Sequence, residues 1–272
     1  MRFELHCHST CSDGTESPTQ VAGRAAARAV AVFSLTDHDS CEGSGDTHQV
    51  LGDAGGRSIR GVELTCSDDE GRTVHVLAYD RGGAWSVLED RLAAVREART
   101  RRMRVMATKL ELRGVRIDVE PLLAESRRRS IGRPDLARAI VAAGAATSVK
   151  DAFARHLYDG GPVDVPHRGL GMTEALAVGR AAGAALALAH PHMYDDRSAG
   201  LLRRYKQDGL TGIEAFHGGY DSRERSRWIA LADRLGLVCT GGSDWHGPDD
   251  AMGQPGVDLP DDRSEALVRW LG

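Results

Sequence analysis

The sequence contains no apolar run near the ~18 residues that a membrane-spanning helix requires. Its first residues, MRFELHCH, hold no hydrophobic leader core. Neither a membrane span nor export is expected, and a cytoplasmic location follows. Basic charge is not in excess either: 35 Lys and Arg stand against 39 Asp and Glu, a net charge of −4. General attraction to long duplex nucleic acid is therefore not expected. Aromatic residues make up only 5% of the chain, and none is interleaved with its basic stretches as a stacking platform for long single strands.

Cysteine is also scarce. Cys7, Cys11, Cys41, Cys66 and Cys239 are odd in number and form no CxxC pair. They read as reduced thiols of a cytoplasmic protein. Cys7 and Cys11 lie beside the polar residues considered below, either as small buried neighbours or as ligands or redox sensors. The chain has no Walker loop, no HExxH pattern and no Ser-His-Asp order. What remains is an ordinary globular composition, 41% hydrophobic and 27% charged over 272 residues. That length suffices for one large core with a modest insertion.

Apolar runs and helical stretches alternate in the N-terminal third. Arg2–Leu5 reads as a short strand, Pro18–Ala29 as a helix with Ser17 at its N-cap and Pro18 at N1, and Val30–Leu35 as a buried parallel strand. Residues 58–64 and 73–79 add two strands, and the βαβ rhythm argues for a parallel sheet or barrel. From about Trp85 to His167 strand signals vanish. One long charged helix closes near Gly114, and shorter helices follow at Pro134–Ala143 and Val149–Leu157. The βα rhythm returns with a helix to Ala182, strand ALALAH, a helix near Leu201, strand GIEAF, a helix over Arg223–Leu235 and strand LVCT; residues 247–262 read as a surface loop. The expected organisation is an α/β fold from residues 1–84 and 168–272, with a helical insertion at 85–167.

Eleven histidines are present, and the informative ones follow apolar runs. His6 and His8 come after the first strand, with Asp13 close behind. Asp37, His38 and Asp39 follow VAVFSL, Glu63 lies in SIRGVEL, His75 in TVHVLAY, His190 ends ALALAH, and Asp244 and His246 follow LVCTGGS. Residues two apart on an extended chain face the same way, so His6 and His8 suit one metal ion, and Asp244 pairs with His246 in the same manner. In a parallel α/β barrel the strand ends converge on one rim, which would bring these ligand-type groups together. Asp37 and Asp39 either orient His38 or cap their strand end.

The segments LHCHSTCSDG, SLTDHD, GVELT, VHVLAYD, LAHPH and GGSDWHG resemble, in order, the motifs of the polymerase and histidinol phosphatase (PHP) family. The resemblance spans nearly the whole chain. It implies a distorted (β/α)7 barrel with a helical insertion and two or three divalent metal ions, Mn, Zn or Fe. By that resemblance His6, His8, Glu63 and Asp244 hold the first ion; Glu63, His75 and His190 the second; Asp13, His38 and His246 the third. The branch resembled is that of nucleotide phosphatases and RNA 5′-end phosphoesterases, whose helical insertion looks like SIGRPDLARAIVAAG and DAFARHLYDGGPVDVP here. That branch usually shows His after IGRP, where this chain has Asp135, which puts phosphate contact at this position in doubt.

The expected chemistry is phosphoester hydrolysis by a metal-activated hydroxide, with metal charge neutralising the phosphoryl oxygens. Expected substrates are AMP, 3′,5′-bisphosphonucleotides and the 5′ ends of short RNA, so the expected partners are small nucleotides and short oligonucleotides. A small ester such as histidinol phosphate, a cyclic phosphodiester, or a non-catalytic metal-binding module are the alternatives. Arg133 is expected to clamp phosphate, against the plainer reading of a solvated arginine near a helix start. His217 is expected to contact phosphate or protonate the leaving group, and His192 to stay outside the ligand set. His48, His156 and His167 read as surface or packing residues. Arg96, Arg99, Arg101, Arg102 and Arg104 read as a solvated helix face, and Arg127–Arg129 as a patch that helps attract an anionic substrate.

Overall fold

A computed structural model of the chain describes residues 1–126, 129–166, 169–249 and 253–272. The expectations for Arg127, Arg128 and His167 lie outside these residues. β1 (Arg2–Glu4) leads into α1 (Pro18–Ala27). The helix begins as expected: Gln20 N donates to Ser17 Oγ, and Ser17 N donates to Gln20 Oε1, with Pro18 opening the first turn. β2 (Val32–Phe33) is shorter than the apolar run that contains it. The rest of that run still bonds to the first strand, through Ala31 N to Arg2 O and Ser34 N to Glu4 O.

After α2 (Ser44–Asp53) the single strand expected at 58–64 is two: β3 (Arg57–Ser58) and β4 (Gly61–Ser67). The break falls where the chain passes close to its neighbour; a Cβ on Gly61 would come within 2.1 Å of Ser34 Oγ. β5 (Thr73–Tyr79) then turns back against β4 as an antiparallel hairpin, with Glu63 opposite Leu77 and Thr65 opposite His75.

The helical segment comprises α3 (Ser86–Glu111), α4 (Glu120–Glu125), α5 (Arg133–Ala142) and α6 (Val149–Ala152), the last continuing into a π-turn at Phe153–Leu157. β6 (Leu170–Gly171), α7 (Met172–Ala181), β7 (Ala185–Leu188), α8 (Arg197–Tyr205), β8 (Leu210–His217), α9 (Ser222–Leu235) and β9 (Val238–Gly242) restore the βα rhythm. β10 (Val257–Asp258) and α10 (Asp261–Leu271) complete the chain; β10 lies within the segment expected to be loop.

The strands form two mixed sheets, in the orders β10-β1-β2-β3 and β6-β4-β5-β7-β8-β9. Among the described residues the expectation of a parallel sheet is met for five strand pairs and corrected for three. β5 runs antiparallel to both β4 and β7, and β10 runs antiparallel to β1. Hydrogen bonds also run between the sheets, from Leu5 N to Gly241 O and from Asp244 N to His6 O.

The main core gathers both sheets and the inward faces of α7 to α10, and it includes Trp85, Leu88, Leu92 and Val95. A second cluster holds Met103, Met106 and Leu110 with Leu123, Ile131, Leu136, Ile140 and Leu157. α3 therefore belongs to both, its first half packed on the sheets and its second half inside the helical segment. Among the described residues no helix is long and apolar enough to cross a membrane.

Candidate metal centre

Beyond β1 the chain holds both histidines toward one point. The Nε2 atoms of His6 and His8 each lie 3.3 Å from Glu63 Oε2, and 3.3 and 3.2 Å from Asp244 Oδ1. Glu63 is central. Its Oε2 is 3.0 Å from His38 Nδ1, and its Oε1 is 2.9 Å from both His75 Nδ1 and His190 Nε2. The pairing of β4 with β5 explains the reach to His75, since the two residues are diagonal neighbours on one sheet face. Asp13 closes the other side, 3.5 Å from His246 Nε2, 3.7 Å from His8 Nδ1 and 3.8 Å from His38 Nε2.

All nine residues expected as ligands thus come together. Their donor atoms fall into four overlapping groups: His6, His8 and Asp244; His6, Glu63 and His190; His38, Glu63 and His75; and His8, Asp13, His38 and His246. The first group is the expected first set without Glu63, and the last is the expected third set with His8 added. The middle two share Glu63 between opposite sides of the cluster, and His38 stands between the second and third positions.

Three backbone positions here lie in the left-handed region that non-glycine residues rarely adopt: Asp39 (φ 50°), His190 (φ 24°) and Asp244 (φ 57°). The explanation expected for Asp244 and His246 is corrected accordingly. They adjoin through this turn, with His246 Nδ1 2.8 Å from Asp244 O, and not through strand alternation.

His6, His8, Glu63 and His190 are buried, the other five are partly exposed, and the charges of the cluster shape one another. Burial alone would discharge His6 and His8. The carboxylates outweigh it: Glu214, Asp244 and Glu63 raise His6 well above the usual imidazole range, and Asp244 and Glu63 raise His8 to about 10. Burial likewise opposes ionisation of Glu63 and Asp244, yet the surrounding histidines hold both carboxyls well below their ordinary range. Such a site is built for positive charge. His6 Nε2, His8 Nε2 and His38 Nδ1 are buried without a hydrogen-bond partner, each aimed at a shared carboxylate. Unpartnered imidazole nitrogens around carboxylates form a donor set that fits Zn²⁺, Mn²⁺ or Fe²⁺.

Several supporting residues were missed in the sequence. Glu214, fully buried on β8, holds His6 Nδ1 at 2.9 Å and accepts from His190 N at 2.7 Å. Glu4 accepts from the backbone N–H groups of His6, Ser243 and Gly256, and burial raises its carboxyl to about 7. Tyr194 OH accepts from His75 N and lies 3.4 Å from His190 Nδ1. Each carboxylate interrupts an apolar strand run, a signal that a buried partner must exist.

Asp37 and Asp39 do different work from each other. Asp37 accepts from Ser9 N, Ser9 Oγ and Ser12 Oγ, fixing the turn before Asp13. Asp39 accepts from Thr65 N and from Arg99, which is buried in the apolar stripe of α3. The solvated-face reading of the arginine helix is thereby corrected for Arg99 and for the half-buried Arg102, whose Nε donates to Val165 O; Arg101 and Arg104 are exposed.

Asp13, His38 and His75 border a cleft of about 370 Å³ also lined by Arg99, Arg102, Arg133 and Phe153. Arg133 reaches this cleft with its guanidinium bonded to Asp159 and 5.7 Å from the Phe153 ring. His217 is not among the residues lining it. Its Nδ1 accepts from Gly219 N, which leaves Nε2 facing Asp244 Oδ2 at 3.6 Å. His192 pairs with Tyr220 OH at 2.9 Å and belongs to none of the four ligand groups. His48 and His156 bond to backbone carbonyls, of Ser44 and Ala145.

A PHP domain model matches residues 4–107. The 3′,5′-nucleoside bisphosphate phosphatase of Chromobacterium violaceum is 33% identical over 251 residues, covering 90% of this chain and 87% of that protein. A 5′-3′ exoribonuclease of Haemophilus influenzae is 30% identical, covering 91% of this chain and 90% of its own. The phosphoribosyl 1,2-cyclic phosphate 1,2-diphosphodiesterase of Eggerthella lenta is 31% identical, with 90% and 94% covered. A solved structure from Bifidobacterium adolescentis, described as a metal-dependent phosphoesterase, superimposes with a TM-score of 0.86 at 30% identity, over 98% of this chain and 96% of that one. Family model, relatives and shared fold agree: the chain belongs to the PHP family of metal-dependent phosphoesterases.

Proposed function

We propose that this phosphoesterase hydrolyses nucleotide phosphomonoesters, AMP or 3′,5′-bisphosphonucleotides, and acts on the 5′ ends of short RNA. The observation that carries this reading is the cleft, where ligand-type residues meet Arg102, Arg133 and an aromatic ring in one space. Its volume lies within the roughly 300–1,000 Å³ typical of small-molecule sites. The names of the Chromobacterium and Haemophilus relatives support nucleotide and RNA substrates.

In this reading His6, His8, Glu63 and Asp244 hold one divalent ion, Glu63 with His75 and His190 a second, and Asp13, His38 and His246 a third. Bound there, Mn, Zn or Fe supplies Lewis-acid charge and lowers the pKa of water toward 7. The protein's own side chains do the rest. Arg133 draws in and orients the phosphate, Asp159 keeping its guanidinium poised at the cleft wall. Phe153 offers a face to a base or ribose. His217, behind Asp244, steadies that carboxylate at the edge of the reacting position.

The same reading takes the two sheets as one distorted (β/α)7 barrel, supported by the hydrogen bonds between β1's continuation and β9. It takes residues 85–167 as an inserted helical cover with its own apolar cluster, and the five unpaired thiols as suited to a cytoplasmic setting. Activity on a cyclic phosphodiester is the second reading, favoured by the Eggerthella relative.

Phosphate release by metal-reconstituted protein should be measured on AMP, 3′,5′-bisphosphoadenosine, short 5′-phosphorylated oligonucleotides, histidinol phosphate and a cyclic phosphodiester. A nucleotide should give the highest kcat/KM; preference for histidinol phosphate or the cyclic ester would displace this assignment. Arg133→Ala should raise KM about tenfold with kcat little changed, the mark of lost uniform binding. An unchanged KM would reject the clamp.

A further inference from the structure

Asp135 occupies the turn that opens α5, two residues beyond Arg133, yet it is not among the residues lining the cleft. It is 5% exposed. One oxygen accepts from Gly132 N at 2.8 Å, capping the helix. The other accepts from two guanidinium groups, Arg129 Nη1 at 2.8 Å and Arg138 Nη1 at 3.0 Å. Both arginines reach on to the same short loop. Arg129 Nη1 donates to Ser12 O at 2.8 Å, and Arg138 Nη2 donates to Asp13 O. Beside them, Ser130 N donates to Cys11 O at 2.9 Å. One buried carboxylate thus joins two cations that grip the backbone of residues 12 and 13, Arg129 being held also by Glu125.

Asp13 is held on its other side by the turn that Asp37 fixes through Ser9 and Ser12. Without the arginines, the bond from Ser130 N to Cys11 O would be left as the loop's tie to the helical segment among the described residues. Without Asp135, Arg129 would keep Glu125, bonded to its Nε at 2.7 Å, while Arg138 would lose its carboxylate partner among the described residues. We propose that Asp135 is a positioning residue for metal binding: through Arg129 and Arg138 it locks the Ser12–Asp13 loop to the helical segment and so sets the place of the Asp13 carboxylate. This rests on the reading that Asp13, His38 and His246 hold an ion.

The geometry specifies the chemistry of a suitable residue here. It must accept from Gly132 N and carry negative charge toward two arginines at once, which a carboxylate does and an amide does not. The same turn ties Arg133, facing the cleft, to the ligand loop behind it, so that phosphate contact and ion position share one support.

The test uses Mn²⁺ alone as probe, with binding stoichiometry and affinity measured by calorimetry on the full chain, and thermal unfolding recorded in parallel. Asp13→Ala serves as the control and should lose one bound ion. Asp135→Asn, which keeps an acceptor for Gly132 N, should retain the folded state and weaken that same ion by about 10- to 100-fold, the range for residues that orient metal ligands. The remaining ions should keep their affinity. Arg138→Ala should weaken the same ion, and the double variant should be less than additive because both act along one chain of contacts. Unchanged affinity in Asp135→Asn alongside a lost ion in Asp13→Ala would overturn the positioning role. Retention of every ion in Asp13→Ala would overturn it too, by removing the site it is said to hold.

Discussion

His6 has two ring nitrogens, and only one faces the carboxylates of the centre. Glu214 engages the other at 2.9 Å, fixing ring orientation and adding basicity to Nε2. Glu214→Gln should therefore weaken divalent-ion affinity about 10- to 100-fold, read by calorimetry with Mn²⁺, while the thermal midpoint stays close to that of the unaltered protein. Equal affinity in both would show that Glu214 does not act through His6. The nine ligand-type residues were readable beforehand, most because they end or follow an apolar run, and Glu63 and His75, inside β4 and β5, through the segments GVELT and VHVLAYD. Glu214 and Glu4 were not, since they sit within such runs, where burial patterning draws the eye to hydrophobic neighbours. Arg99 was hidden the same way, occupying an apolar-stripe position of α3 between Val95 and Met103. Its bond to Asp39 spans 60 residues of sequence and leaves no local trace.

The hairpin of β4 and β5 is the element on which the centre depends most directly, because it presents Glu63 and His75 on one face. Its turn is built on Asp68, whose Oδ1 accepts from Glu70 N at 3.0 Å and Arg72 N at 2.8 Å. Oδ2 accepts from Arg72 Nε at 2.9 Å and Arg197 Nη1 at 3.3 Å. Burial opposes ionisation of Asp68, but the Arg72 backbone and side chain and the Glu70 N–H prevail, so its carboxyl lies below the ordinary value. A depressed folded pKa means that its stabilisation is fully present above the unfolded value of about 3.9 and fades as pH falls through the folded one. Asp68→Asn should thus cost about 1 kcal/mol at neutral pH, measured by urea unfolding, and the gap should narrow below about pH 4. A gap independent of pH would show that the charge of Asp68 contributes nothing. Apolar patterning located both strands of this hairpin but left their direction open, since alternation reports which side is buried and not which way the neighbour runs. The five-residue spacer DDEGR, with Gly71 at φ 76°, was the available sign of a tight reversal.

At the scale of the whole molecule, the centre forms where chain segments leaving β1, β2, β7 and β9 meet the hairpin, with the helical segment packed over one side. Order of elements and the gathering of their ends could be read from the sequence, along with a helical block between them. Where that block sits could not. Its anchors are polar and distant in sequence, Arg99 to Asp39 and Ser130 to Cys11, and hydrophobic periodicity does not encode them. Sheet order was equally hidden, because pairing among short strands is decided by packing throughout the core. The central claim is that these histidines and carboxylates act together as a metal-dependent hydrolytic centre. Its most direct test is to follow phosphate release from 3′,5′-bisphosphoadenosine while bound metal is stripped by a chelator and restored with Mn²⁺, with Asp244→Ala taken through the same cycle. Turnover should fall and recover in step with bound ion in the unaltered protein, and stay at least about 100-fold lower in Asp244→Ala, a loss of about 2.7 kcal/mol. Full turnover by metal-free protein, or by Asp244→Ala, would contradict it.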